Sequence, residues 1–181
     1  MGGTIAIRKA RPADANAVAR VYIESWRDTY PGVLPARVLL SMTVEGQSAR
    51  WRNAIGVATR ESVLVAEDAR GNVLGMTSLG RARDSDIGYD AEVYTLYVHP
   101  LATGRGVGRA LLAGAFSTLA QGGHASCMIW AHAKNPARYF YEAMGGRLIA
   151  ERTTSMMGIP VPEAGFGWNQ LVVAETSRTR A

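Results

Sequence analysis

Three glycines within five residues, Gly104, Gly106 and Gly108, stand between a β-type run and a helical apolar stripe. Without Cβ atoms they let backbone N–H groups converge on an anion, and the positive end of the following helix dipole favours the same charge. That is phosphate-binding chemistry. An ordinary tight turn between strand and helix is the alternative, and it seldom needs three glycines. Thr103, Arg105, Val107 and Arg109 complete the segment, and its two arginines either meet phosphate through charge-assisted hydrogen bonds or stand in solvent. Two familiar phosphate loops fail on spacing. A dinucleotide fingerprint needs glycine where Arg109 stands, and a P-loop needs a Gly-Lys-Ser/Thr run that is absent.

Other reactive side chains are few. His99, His124 and His132 are too scattered for a helical metal pair, so no metal is expected. Cys127 is the single cysteine, which excludes an intramolecular disulfide, and its apolar run reads as a small buried hydrophobe. Trp26 and Tyr30, four apart on one helical face, are candidates for the wall of a substrate pocket as well as for the core. Asp28, Asp84 and Asp86 are candidates to attract a cation, although each alone reads as a solvated loop acid.

The elements that must position these residues follow from periodicity. A strand over residues 4–9 leads through Arg11-Pro12-Ala13-Asp14 into a helix stopped by Pro31-Gly32, and a second helical region, interrupted near Thr43-Val44 and Gly46, runs from 35 to 55. Residues 63–66 and 73–79 read as a hairpin, and 91–98 as a third meander strand. On that strand, strict alternation puts Glu92, Tyr94 and Leu96 on one face. After the glycine loop come a helix ended by Gly122-Gly123, a strand at 126–131, a helix from Asn135-Pro136 to 144, and strands at 148–156 and 166–173. An antiparallel meander followed by a βαβ crossover gives an α+β fold with a mixed, mostly antiparallel sheet.

With 181 residues, 48% hydrophobic and 19% charged, the chain fits one domain over 1–181, with a frayed tail from 174 to 181. No run approaches the ~18 apolar residues of a membrane span, and no signal peptide is visible, so the expectation is a cytoplasmic protein without a membrane partner. The net charge of +5 suits an anionic ligand, but the basic residues are scattered and not interleaved with aromatics, which argues against nucleic acid.

The loop Thr103-Gly104-Arg105-Gly106-Val107-Gly108 resembles the acetyl-CoA loop Gln/Arg-x-x-Gly-x-Gly/Ala of the GCN5-related N-acetyltransferase superfamily. The preceding strand to His99-Pro100 and the segment Asn135-Pro136-Ala137-Arg138-Tyr139-Phe140-Tyr141-Glu142-Ala143-Met144-Gly145 are similar to that family as well, as are Ile7-Arg8 and the stretch from Ser25 to Pro35. Two positions depart from the pattern: Thr103 replaces Gln or Arg, and Gly146 replaces the usual Phe. The resemblance implies acetyl-CoA as donor, held by the loop residues from Thr103 to Arg109, with its pantetheine arm along Leu96, Tyr97 and Val98 where the sheet splays. It assigns Asn135 a hydrogen bond to that arm besides a helix cap, and Tyr141 the protonation of the departing thiolate. An alkylammonium has no lone pair, so its acetylation needs a proton acceptor. Glu92, 14 residues before Gly106, matches the spacing of the catalytic glutamate of the superfamily's histone acetyltransferases. The implied function is direct acetyl transfer to a small-molecule or peptide amine in a ternary complex, by a monomer or a homodimer. A non-catalytic acyl-CoA-binding regulatory module is the alternative.

Overall fold

The computed structural model describes residues 4–56 and 61–171. Strand β1 (Ala6–Lys9) enters a 3-10 turn and then helix α1 (Ala15–Thr29). Arg8 fastens that entry, reaching Asp14 at 2.7 Å and Glu67 at 2.7 Å, while the Asp14 carboxylate accepts the Arg11 N–H at 2.6 Å. The second helical region is divided into α2 (Ala36–Ser41) and α3 (Val44–Gly56). Its break lies at Met42, which is extended, and the Thr43 hydroxyl restarts the helix by accepting the Gly46 N–H at 3.2 Å.

Strands β2 (Glu61–Glu67), β3 (Val73–Arg81) and β4 (Ala91–Val98) form the meander, followed by α4 (Val107–Gln121), β5 (Cys127–His132), α5 (Ala137–Ala143), β6 (Arg147–Met156) and β7 (Ile159–Trp168). They make one seven-stranded sheet, β1-β2-β3-β4-β5-β7-β6, in which only β4 and β5 run parallel. Helices α1 and α3 pack an aromatic-rich cluster against one face, and α4 and α5 cover the other.

Two local departures shape the sheet. The final strand begins at Ile159, seven residues before the expected 166, and ends at Trp168, short of the expected 173; residues 172–173 and the tail 174–181 lie outside the described residues. Pro160 and Pro162 argue against a strand, yet β5 pairs only with residues 163–168 of β7, so among the described strands the proline segment pairs with β6 alone. Met157 and Gly158, both at positive φ, close the two-residue β6–β7 turn. The second departure is a bulge in β4: Ser78 faces Thr95 and Leu79 faces Val93, leaving Tyr94 without a cross-strand partner. The bulge shifts the alternation, so Leu96 packs in the same cluster as Val93 instead of sharing the face of Glu92.

Gly146 is explained by packing. A Cβ there would lie 2.7 Å from the Trp168 ring and 2.9 Å from the Tyr141 carbonyl, and Trp168 is itself tied to the Met144 carbonyl at 2.9 Å. Trp168 occupies the space that a side chain at 146 would need. Gly146→Ala is expected to cost ~1–3 kcal/mol of stability through overpacking, measured by denaturant unfolding against the wild type.

Candidate active site

The site is built on a parting of strands. β4 and β5 pair only through Ala91, Glu92 and Val93 with Cys127, Met128 and Ile129, and beyond the bulge they separate. Tyr97 and His99 turn their backbone groups toward β3, as the His99 N–H to Leu74 carbonyl bond of 2.8 Å shows. By alternation, the peptide groups of Leu96 and Val98 face the opening. Ser25 on α1 donates to the Val98 carbonyl at 2.8 Å and holds that edge against the helix.

Two cavities meet at this opening. The larger, about 620 Å³, runs from Leu96, Tyr97 and Val98 down to the glycine loop and the start of α4. Gly104 and Gly106 have φ of +72° and +83°, which side-chain-bearing residues rarely adopt, and a Cβ at either would project into open space. Gly106 is the residue at which α4 begins, so the first amides of a 15-residue helix point into the cavity without intrahelical acceptors. Gly108 serves differently: a Cβ there would be in ordinary contact with Phe140 at 3.5 Å and Val98 at 3.7 Å. Thr103 donates its hydroxyl to the Pro100 carbonyl at 2.8 Å and so braces the loop from within. Arg109 lines the cavity; Arg105 is exposed and does not.

The smaller cavity, about 350 Å³, lies under the β6–β7 hairpin. Trp26 and Tyr30 line it and also belong to the buried core. Leu96, Tyr97, Asn135 and Tyr141 line both cavities and form the wall between them. Asn135 accepts the Ala137 N–H at 2.9 Å, capping α5, and donates to the Tyr30 hydroxyl at 3.0 Å. Tyr141 is buried, and burial pushes its phenol well above the ordinary value, so it remains protonated at neutral pH.

Glu92 stands apart from this wall. It is 1% exposed and lines neither cavity; both its oxygens are engaged by Arg83, through the backbone N–H at 3.1 Å and through the guanidinium. Asp84 accepts the Asp86 N–H at 3.1 Å in a surface turn, and neither acid reaches a cavity, whereas Asp28 lines the larger one.

Arg83, His132, Arg152 and Glu163 line the smaller cavity and carry no sequence motif. They come from a loop and three strands that only the tertiary fold brings together, so no local spacing could have found them.

An acetyltransferase (GNAT) domain model matches residues 59–145, which span β2 to the end of α5. The Uncharacterized N-acetyltransferase YuaI of Bacillus subtilis (strain 168) is 32% identical over 176 residues, covering 97% of this chain and 99% of that protein. The chain belongs to the GNAT acetyltransferase family. Its acetyl donor is therefore acetyl-CoA. The fold is shared with the PaiA N-acetyltransferase from Thermoplasma acidophilum in complex with coenzyme A, at TM-score 0.68 and 23% identity over 89% of this chain and 98% of that one. It is shared also with YncA from Salmonella typhimurium, solved with its cofactor acetyl-CoA, at TM-score 0.67 and 21% identity over 98% and 99% of the two chains.

Cys127 is fully buried at the β4–β5 contact, lines neither cavity, and burial pushes its thiol up to about 12. Alkylation by iodoacetamide at pH 8 is therefore expected only after denaturation, with mass spectrometry of the native protein showing no adduct.

Proposed function

We propose that this GNAT protein transfers the acetyl group of acetyl-CoA directly to an amine held in the smaller cavity, with donor and acceptor bound together. The observation that carries this reading is the shared wall: Leu96, Asn135 and Tyr141 border both cavities, so a thioester lying along β4 meets an amine across it. Pyrophosphate sits on the α4 amides with Arg109 beside it, and the pantetheine arm completes β4 by pairing with the peptide groups of Leu96 and Val98. Asn135, with its carbonyl spent on the α5 cap, steadies that arm and Tyr30 together.

The amine nitrogen forms its bond to the thioester carbonyl carbon, the tetrahedral oxyanion meets the Val98 N–H, and the C–S bond then breaks. Tyr141, kept protonated by burial, gives its proton to the sulfur as the C–S bond breaks, and water returns a proton to the phenolate once CoA has formed. The proton lost by the nitrogen leaves through water in the smaller cavity. Glu92, ion-paired through both oxygens, is assigned the task of holding Arg83 at the cavity wall, with any share in proton removal relayed by water. The buried, protonated Cys127, which lines neither cavity, supports direct transfer over an acyl-cysteine intermediate.

Tyr141→Phe is expected to leave acetyl-CoA affinity within about threefold while lowering kcat by ~10²-fold or more. Calorimetric titration and single-turnover quenched flow check the two halves, and an unaffected acetylation rate would reduce Tyr141 to a packing residue. Glu92→Gln is expected to retain the pH limb of kcat/KM; its disappearance would instead make Glu92 the base.

A further inference from the structure

The charged groups at the end of the smaller cavity carry information about the acceptor that the family does not. Arg83 spends Nε and Nη2 on Glu92, and Arg152 spends Nε on Glu163 at 2.7 Å. A guanidinium has five N–H donors in a planar fork, so Nη1 of Arg83 and both Nη groups of Arg152 retain donors without a protein acceptor among the described residues. The two pairs are neighbours, because Arg83 also feels the charge of Glu163. Arg152 is fixed in place, its guanidinium stacked 3.8 Å from the centre of the Trp130 ring. Arg83 lies over the Tyr94 ring at 4.7 Å.

The acids that reach this end are both already answered. Behind the cavity wall Glu92 has Arg83 on both oxygens, and on it Glu163 is ion-paired to Arg152 through Oε2, so among the described residues each carboxylate charge at this end is already balanced by a guanidinium. His132 adds no positive charge, since burial lowers its pKa. Its Nδ1 accepts the Lys134 N–H at 3.0 Å, which leaves Nε2–H as a further donor. Unspent donors and paired acids together select a ligand that brings hydrogen-bond acceptors with negative charge. The remaining walls combine aromatic side chains, Tyr22, Trp26 and Tyr30 among them, with aliphatic ones such as Leu34, Ile129 and Val161, and the volume of about 350 Å³ suits a molecule of amino-acid size.

From this arrangement we infer that the acceptor is an amine that also carries a carboxylate, an α-amino acid or a similarly small amino acid with an apolar side chain, and that Arg83 and Arg152 read its carboxylate. The inference rests on the proposed transfer reaction for the role of the amine, and on the cavity alone for the carboxylate. It excludes polyamines, whose second ammonium would face the guanidinium N–H groups.

The test titrates CoA-saturated protein with L-leucine, L-methionine and L-phenylalanine, with the primary amide and the decarboxylated amine of each, and with spermidine. At least one free acid is expected to bind about tenfold or more tightly than its amide and its decarboxylated amine, and to show the higher kcat/KM. Arg152→Gln is expected to bring acid and amide within about threefold while leaving CoA affinity unchanged. Arg83→Gln strands the buried Glu92 charge, so the double variant Arg83→Gln/Glu92→Gln serves as the second probe, with circular dichroism reporting its fold. Equal binding of acids and amides, preference for spermidine, or binding of none of the acids overturns the inference. Carboxylate-selective binding without turnover would overturn the transfer reaction and leave the inference standing, and equal turnover of acids and amides would do the reverse.

Discussion

The parallel contact between β4 and β5 lasts three residues and then fails, and both cavities lie where it fails. A bulge at Tyr94 turns the strand just where the pairing ends, so the peptide groups of Leu96 and Val98 are left without a neighbouring strand inside the molecule. The Val98 carbonyl is met by Ser25, and peptide groups left unpaired inside a protein are costly unless something completes them. A ligand with amides of its own, such as a pantetheine arm, does so as an extra strand would. The sheet is thus open at this edge, and the proposed reading has the acetyl donor complete it.

The rest of the architecture protects this gap. Ser25 holds the Val98 carbonyl from the α1 side, Phe140 and Val98 close around Gly108 from the other, and Gly106 begins α4 with its amides directed at the same cavity. Asn135 caps α5 and thereby sets where Tyr141 stands; the Tyr141 carbonyl in turn rests against Gly146, beside Trp168. The burial that fixes Tyr141 in the fold also raises the pKa of its phenol.

Much of this was legible in the sequence, for a physical reason. Glycines at positive φ, Asn before Pro at a helix start, and a β-branched run ending in His-Pro are local constraints, so the loop, β4 and α5 could be placed from spacing. The bulge has no such signature. Alternation across it puts Glu92 on the face of Leu96, whereas in the structure Glu92 lines neither cavity and pairs with Arg83 behind the wall of the smaller one. Pro160 and Pro162 concealed the start of β7, since only the register with β5 reveals that their missing N–H groups are harmless. Arg83, Arg152, Glu163 and His132 converge through tertiary contacts among segments far apart in sequence, so nothing local marks them as one site.

Residue-resolved amide hydrogen exchange on β4, with and without saturating acetyl-CoA, tests the missing-strand account most directly. The account predicts that the Leu96 and Val98 amides exchange far faster than those of Tyr97 and His99 in the free protein, and that acetyl-CoA slows them selectively. If acetyl-CoA binds while the exchange of Leu96 and Val98 stays as it was, the donor does not complete β4 and the account is wrong.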